Sequence, residues 1–305
     1  MNPRSLYLKL PRGVRLAVER LPVRIFRRRH EREVRAAWRS GPPYRPTHRR
    51  IIIDITAACN LGCVDCNRSC GPDQAPAPEH MTVDQVERFI EESRQQNRHW
   101  DMIQIEGGEP TLHPHFLEIV RTLDRYASRD SRWTVIQVNT NGYSEHSRAI
   151  LQQLPPSVTV YSSQKTQRVQ TEHVPFNVAP VDAANHSDGC LSQGCYLPAM
   201  YGLGLTRNGY YPHPICGGID RVFGMDIGRK TLPEPGDGLD EQFPQLCRYC
   251  GLFAHYNRAH NPDPPMQRVL RKTSDPKQPP PGTMTASWLD AYSRYRTQPP
   301  RLTPY

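Results

Sequence analysis

The feature that most constrains this chain is an apolar run that ends in three closely spaced cysteines. Ile51–Ile55 reads Ile-Ile-Ile-Asp-Ile, and such a β-branched run is typical of a buried strand. The loop that follows contains Cys59, Cys63 and Cys66 in the spacing C-x3-C-x2-C. Three thiolates on one short loop can bind three corners of a [4Fe–4S] cube, whose protein ligands are cysteine thiolates. The fourth iron then has no cysteine from this motif and can bind a small molecule.

A structural zinc site or chance clustering is the alternative interpretation of these cysteines. Zinc sites usually combine a C-x2-C with a second, distant pair of ligands. The triplet does not divide in that way, so its spacing favours an iron–sulfur cluster. Cys70 lies four residues after Cys66, and we do not expect it to be a ligand.

The strand and its cysteine loop resemble the radical SAM enzymes, in which the first strand of a partial (β/α)6 barrel delivers such a loop to the barrel mouth. The resemblance implies that the open iron binds the amino and carboxylate groups of S-adenosylmethionine. It also implies that reductive cleavage yields a 5′-deoxyadenosyl radical, which abstracts hydrogen from a substrate. The family usually has an aromatic residue just before the third cysteine, where this chain has Asp65.

Two further motifs fit the same resemblance, and each follows a predicted strand. Residues 107–110 read Gly-Gly-Glu-Pro after a strand over 102–106, and glycines let a backbone approach a ligand closely. Residues 139–142 read Asn-Thr-Asn-Gly after a strand over 133–138. In the family the first motif holds the methionine amino group, for which Glu109 can accept hydrogen bonds, and the second lies beside the cofactor. The predicted cofactor-binding residues are Gly107, Gly108, Glu109, Pro110, Asn139, Thr140 and Asn141.

Strands and helices alternate around these motifs. Thr82 followed by Gln85 is a capping box that opens a helix through Asn97. The other predicted elements are helices over 117–129 and 144–154 and strands over 158–163 and 177–180. Such alternation favours parallel βα units, which bind ligands at the carboxyl ends of their strands. The predicted fold class is α/β, a partial (β/α)6 radical SAM barrel with a small C-terminal auxiliary-cluster domain.

Five cysteines form a second group in the last third of the chain, Cys190, Cys195, Cys216, Cys247 and Cys250. Residues 201–211 predict a hairpin that turns at Asn208-Gly209, and residues 221–227 predict another strand. A hairpin between cysteines, closed by a C-x2-C, resembles the short "twitch" form of the auxiliary-cluster domain in radical SAM enzymes. The resemblance implies a second [4Fe–4S] cluster, and a zinc ribbon is the alternative.

Five thiols compete for at most four ligand positions in this second group. Spacing alone makes Cys247 and Cys250 both ligands and leaves Cys190 spare. Radical SAM epimerases return a hydrogen atom to the substrate from a cysteine thiol, and those that act on aminoglycosides also carry a second cluster. On that resemblance we predict Cys250 as the hydrogen-atom donor, with Cys190 as the next candidate. The predicted auxiliary ligands are Cys190, Cys195, Cys216 and Cys247.

The net charge of +9 is unevenly distributed along the chain. Residues 1–50 carry 15 Lys and Arg against 3 acids, whereas residues 51–250 carry 16 against 24. A body with surplus carboxylates favours a small cationic substrate. The basic first segment is either a solvated extension or a contact for nucleic acid or an acidic partner, and its amphipathic pattern also allows a membrane-surface anchor. We expect neither a nucleic-acid partner nor a membrane partner.

The predicted function is a radical SAM epimerase that inverts a carbon centre of an amino sugar in aminoglycoside biosynthesis. The alternatives are a radical SAM dehydrogenase of an alcohol or amino sugar, a radical SAM modifier of peptide or RNA, and a non-catalytic iron–sulfur or zinc module. We expect two [4Fe–4S] clusters, S-adenosylmethionine, an electron donor such as flavodoxin or ferredoxin, and a cytoplasmic location. The predicted domains are a basic extension over 1–49, the barrel over 50–185, the auxiliary-cluster domain over 186–260 and an extended Pro-rich tail over 261–305.

Overall fold

One mixed sheet with flanking helices organises the chain. The computed structural model describes residues 45–71, 79–130, 133–170, 175–182, 197–256 and 282–305, together with Arg32 and Cys195. Most of the predicted basic extension and Cys190 lie outside these residues. The strands are β1 Arg50–Thr56, β2 Met102–Gly107, β3 Val135–Thr140, β4 Thr159–Ser162, β5 Leu203–Thr206 and β6 Gly209–Tyr211. The helices are α1 Val83–Gln95, α2 Phe116–Asp130, α3 Glu145–Leu151, α4 Leu197–Tyr201, α5 Pro214–Phe223, α6 Phe243–Leu246, α7 Gly251–Tyr256 and α8 Ala286–Thr297.

The sheet has the strand order β4-β3-β2-β1-β5-β6, and only the β5–β6 pair is antiparallel. The parallel βα units from β1 to β4 confirm the fold class predicted for the barrel. The capping box is also confirmed, because the Thr82 side chain accepts from Gln85 N while the Gln85 side chain accepts from Thr82 N. No helix in the described ranges has the length and apolar character needed to cross a membrane.

Alternate residues of each strand face opposite sides of the sheet. Ile51, Ile53 and Ile55 of β1 join the main hydrophobic core with residues of α1 and α2. The intervening side chains of β1 face the other side, which we call the inner face. Asp54 of β1 stands in register with Glu106 of β2, so the inner face carries two carboxylates on neighbouring strands.

The predicted hairpin is present, but it is part of the barrel sheet rather than of a separate domain. Its first strand, β5, pairs with β1 in parallel, so that Ile52 lies opposite Gly204. The strand predicted over 221–227 is wrong, because Pro214–Phe223 is a helix. His213 caps its first turn and Gly224, with φ of 69°, ends it in the left-handed conformation.

Two predictions for the C-terminal half also need correction. Residues 177–180 form no strand; a short 3-10 helix, Pro180–Asp182, follows there instead. The extended tail is wrong for Ala286–Thr297, because this segment is helix α8, which packs into a second hydrophobic core. Trp288 on α8 is fully buried there, and its indole N–H donates to Tyr249 O at 2.8 Å.

Replacing Trp288 by alanine is expected to lower the free energy of unfolding by about 3–5 kcal/mol, the usual cost of truncating a buried aromatic. Leu289, the next residue, is 56% exposed, and its alanine variant should change stability by no more than about 0.5 kcal/mol. Urea unfolding followed by circular dichroism measures both. Equal losses for the two variants would contradict the packed position of α8.

Candidate active site

The three predicted cluster ligands lie on one loop that is fixed from both sides. Gly62 N donates to Arg168 O at 2.9 Å and Val64 N donates to Gln170 O at 2.8 Å. At the end of the loop, Ser69 N donates to Cys66 O at 3.0 Å. Backbone hydrogen bonds therefore hold the loop in a defined shape.

The thiols of Cys59, Cys63 and Cys66 are half-buried and lie within electrostatic reach of one another. Burial raises the pKa of Cys59 to about 12, and the charges of Cys66, Cys70 and Cys63 add to this rise. Burial and Cys66 likewise raise the pKa of Cys63. Thiolates in this arrangement repel each other unless a metal compensates their charge, so the donor set fits an iron–sulfur cluster.

The described residues contain no three His, Cys, Asp or Glu side chains that converge to hold a single metal ion. A cluster does not require such convergence, because each thiolate binds a different iron. Cys59, Cys63 and Cys66 would then hold three irons of one cube. In the radical SAM family, which this loop resembles, S-adenosylmethionine would bind the fourth iron.

Gly107 and Gly108 lie against the backbone that enters the cysteine loop. Gly108 N donates to Thr56 O at 2.8 Å, and Gly107 has φ of 136°. A Cβ atom on Gly107 would lie 2.3 Å from Thr56 O, and one on Gly108 would lie 2.3 Å from Ala58 O. Glycine is therefore required at both positions for the loop and β2 to approach so closely.

The Glu109 carboxylate is hydrogen-bonded inside the protein, and its role toward the methionine amino group stays a prediction. It is fully buried, with Oε1 accepting from Thr111 Oγ1 at 2.7 Å and from Thr140 Oγ1 at 2.8 Å. Oε2 accepts from Asn141 N at 2.8 Å. The carboxylate therefore joins the ends of β2 and β3.

Replacing Glu109 by alanine is expected to lower the free energy of unfolding by about 3–5 kcal/mol, since several buried donors lose a charged acceptor. Glu118 provides the matched control, because its side chain is 58% exposed and pairs with His115 at the surface. Its alanine variant should cost less than about 1 kcal/mol. Chemical denaturation of both variants gives the comparison, and a small loss for Glu109→Ala would contradict the buried network.

The Asn-Thr-Asn segment at the end of β3 connects this strand to β2 and to the cysteine loop. Asn141 Nδ2 donates to Asn60 Oδ1 of the cysteine loop at 2.8 Å, whereas Asn139 Nδ2 donates to Glu106 Oε1. Pro110 begins a single 3-10 turn that carries Thr111 to the Glu109 carboxylate. The structure therefore brings both predicted motifs to the cysteine loop, as their positions at neighbouring strand ends imply.

Asp65 has a structural role in place of the aromatic residue usual in the family. It has φ of 55° and is 2% exposed. Its Oδ2 accepts from Gly282 N at 2.9 Å, and the backbone amides of Phe176 and Asn177 also oppose the rise in the pKa of Asp65 that burial causes. Asp65 therefore fastens the cysteine loop to two segments of the C-terminal half.

A cavity lies beside the loop, between the ends of β1 and β5 and helix α5. Asp54, Arg68, Cys70 and Arg221 are among the residues that line it. The Cys70 thiol donates to Arg68 O at 3.1 Å, and Arg221 donates to the same carbonyl at 2.7 Å. Cys70 is buried and belongs to neither predicted ligand set.

The structure gathers four thiols of the second group, Cys195, Cys216, Cys247 and Cys250, in the second hydrophobic core. Burial raises the pKa of Cys247 far above its ordinary value, and Cys216, Cys195 and Cys250 add to it. Cys195 and Cys250 act in the same direction on Cys216. All four thiols are therefore close neighbours, and their chemistry fits the four-cysteine ligation of an iron–sulfur cluster.

This grouping does not favour the predicted role of Cys250 as a hydrogen-atom donor. Cys250 lies with the other three thiols and has its backbone N–H bonded to Cys247 O at 3.1 Å. Spacing had already allowed Cys247 and Cys250 to act as a ligand pair. The predicted ligand Cys190 lies outside the described residues, so its place in the set stays a prediction.

Arg68 is a site residue that sequence reasoning missed. It lies two positions after Cys66, and its guanidinium contacts both inner-face carboxylates, Asp54 at 2.9 Å and Glu106 at 2.8 Å. Its charge also acts on Cys216 of the second thiol group. The sequence gives no sign of this role, because Asp54 and Glu106 are distant from Arg68 in sequence. Only the fold brings the three side chains together.

Comparisons with known proteins support the family predicted from these residues. Residues 53–160 match the Radical SAM superfamily. The chain is 37% identical over 73 residues to an AdoMet-dependent heme synthase of Methanosarcina barkeri, which is 24% of this chain and 20% of that protein. It is 32% identical over 76 residues to a probable GTP 3′,8-cyclase of Pyrococcus horikoshii, which is 25% of this chain and 23% of that protein.

Among solved structures, the chain is similar to BtrN in complex with AdoMet and 2-DOIA, with a TM-score of 0.37 and 12% sequence identity. The superposition covers 69% of this chain and 91% of that chain. The chain spans about a fifth of the length of the curated relatives that it matches. The match over residues 53–160 supports the family predicted from the cysteine loop.

Proposed function

We propose that the chain is a radical SAM oxidoreductase that removes hydrogen from an alcohol carbon of a small, amine-bearing substrate. When bound, the cofactors supply a hydrogen-abstracting carbon radical at the first thiol group and a one-electron acceptor at the second. Cys59, Cys63 and Cys66 would hold the first cluster, and Gly107 and Gly108 would allow the backbone beside it to approach the cofactor. Cys195, Cys216, Cys247 and Cys250 hold the second.

The observation that carries this proposal is the complete set of four thiols around Cys250. A cluster closed by four cysteines has no open iron for a substrate and is suited to carrying electrons. Both thiol groups flank Arg68 and the inner face of the sheet, where the polar residues Asp54 and Glu106 can hold a small molecule. The electron released by substrate oxidation would then have an acceptor in the second thiol group.

The epimerase predicted from the sequence is the second candidate, and Cys70 is the observation that favours it. Inversion needs a thiol that returns a hydrogen atom, and Cys70 is a buried thiol that lines the cavity. Cys190 remains the other candidate donor. The substrate of this second reaction is the same class of amino sugar.

Reaction in deuterated water separates the two candidates. Dehydrogenation is expected to deposit no deuterium on the product carbon and to yield a carbonyl group, detected by mass spectrometry with an amino-sugar substrate. Epimerisation through an exchangeable thiol deposits one deuterium at the inverted carbon instead. The latter result would overturn the oxidoreductase proposal and leave the radical SAM assignment intact.

A further inference from the structure

Arg68 is a buried cation held between two carboxylates of the inner face. Its side chain is 11% exposed, and its guanidinium lies 2.9 Å from Asp54 and 2.8 Å from Glu106. Burial alone would lower the pKa of Arg68, but the charges of Asp54 and Glu106 outweigh that effect and hold the pKa above its ordinary value. A permanent positive charge is therefore fixed at this position.

The backbone of Arg68 lies against helix α5, which carries Cys216. A Cβ atom on Gly218 would lie 3.1 Å from Arg68 O and 3.4 Å from Arg68 Cα, so the absence of a side chain lets the two segments approach closely. Arg221 of the same helix donates to Arg68 O at 2.7 Å. Cys66 precedes Arg68 by two residues, and Cys216 precedes Gly218 by two. This one contact therefore brings together a candidate ligand of each cluster.

The charge of Arg68 acts on both thiol groups. Burial and the charges of Cys250 and Cys195 raise the pKa of Cys216, and the charge of Arg68 opposes this rise. Cys66 of the first group is among the charges that act on Arg68 in turn. Such interactions are stronger in the protein interior than at the surface, because little solvent screens them.

We propose that Arg68 raises the reduction potential of the second cluster and so makes that cluster an electron acceptor for the substrate. The inference rests on the proposed function. In that reaction the alcohol carbon loses a hydrogen atom to the cofactor radical, and its hydroxyl group loses a proton to solvent. The remaining electron passes to the second cluster as the carbonyl group forms.

The direction of the effect follows from charge. Reduction adds one negative charge to a cluster, and the charges around a cluster help to set its potential. The guanidinium of Arg68 stabilises the reduced state, whereas the carboxylates of Asp54 and Glu106 oppose it. Removing the cation and removing one of these anions should therefore shift the potential in opposite directions.

Redox titration of the reconstituted protein, followed by electron paramagnetic resonance without substrate, tests this proposal. The signal that does not respond to S-adenosylmethionine reports the second cluster. Arg68→Gln is expected to lower the equilibrium constant for its one-electron reduction by about tenfold or more, a fall of about 59 mV in midpoint potential. Arg68→Lys keeps the positive charge and should keep the potential close to that of the wild type.

Asp54→Asn provides the opposite shift. The asparagine keeps an oxygen acceptor for Arg68 and loses only the negative charge, so the potential of the second cluster should rise. This variant also tests the proposal if Arg68→Gln does not fold. Arg229→Gln is the matched control, because Arg229 likewise pairs with two carboxylates, Asp237 and Glu241, but its side chain is 31% exposed. Its potential should equal that of the wild type.

Two results would overturn the proposal while leaving the proposed function intact. One is an unchanged potential in both Arg68→Gln and Asp54→Asn with the iron of two clusters present. The other is a shift of the same sign in both variants, which would indicate a structural disturbance rather than a charge effect. Iron for only one cluster in the wild type would instead overturn the proposed function and this inference with it.

Discussion

Replacing Cys63 by alanine is expected to abolish formation of 5′-deoxyadenosine by the reduced, reconstituted protein. Cys63 lies midway along a loop with only three predicted ligands, so its removal leaves the cube with two thiolates. We expect the rate of 5′-deoxyadenosine formation to fall by more than about 100-fold. Replacing even a residue that only hydrogen-bonds to a metal ligand typically costs 10–100-fold in metal affinity or activity. Liquid chromatography of the nucleoside product gives the measurement.

Cys70→Ala is the control for that result. Cys70 lies on the same loop and its thiol is bonded to Arg68 O, but it is outside the C-x3-C-x2-C motif. Its variant should retain the cluster and still release 5′-deoxyadenosine. Equal losses for Cys63→Ala and Cys70→Ala would mean that four cysteines close this cube.

The second large effect is expected at Cys250. If the four neighbouring thiols hold a cluster, Cys250→Ala should lower iron by about four atoms per chain, the content of one cube. Substrate oxidation should disappear, whereas abortive cleavage of S-adenosylmethionine should continue at the first cluster. Iron and sulfide counting together with product analysis measures these changes.

Cys190→Ala separates the two possible ligand sets of the second group. The set Cys195, Cys216, Cys247 and Cys250 predicts full iron content and substrate oxidation for this variant. The set predicted from family mechanism includes Cys190 and predicts loss of a cluster. Loss of iron in Cys190→Ala, with normal iron in Cys250→Ala, would restore Cys250 as the donor candidate.

Local patterns predicted the first half of the chain well. Ile51–Ile55 forms the strand expected of a β-branched run, and the capping box at Thr82 opens α1. The motifs of the site follow from the order of parallel strands, because consecutive βα units place their strand ends at one edge. The fold class was therefore accessible without coordinates, and the first ligand set stays a prediction.

The C-terminal half was harder to predict, because its sequence patterns favour different secondary structures for the same segment. The alternating apolar residues around Val222 resemble a strand, but His213, Pro214 and Gly224 mark the two ends of a helix. The Pro-rich composition suggested an extended tail. A helical signal was nevertheless present, since Trp288, Ala291, Tyr292 and Tyr295 recur at the spacing of one helix face.

Roles that depend on side-chain neighbours could not be predicted from spacing. Glu109 has the sequence context of a ligand residue, yet Thr111 and Thr140 use its oxygens. Spacing alone paired Cys250 with Cys247 and the resemblance made it a donor, whereas the fold also places it beside Cys195 and Cys216. These facts depend on contacts between distant segments, which a single sequence does not reveal.

The central claim is that the first cluster has one iron without a protein ligand and that a second cluster is closed by four cysteines. Mössbauer spectroscopy of the ⁵⁷Fe-reconstituted protein, with and without S-adenosylmethionine, tests it most directly. The account predicts two [4Fe–4S] clusters and a change at a single iron site when S-adenosylmethionine is added. Zinc in place of iron at Cys59, Cys63 and Cys66, or spectra unchanged by S-adenosylmethionine, would contradict it.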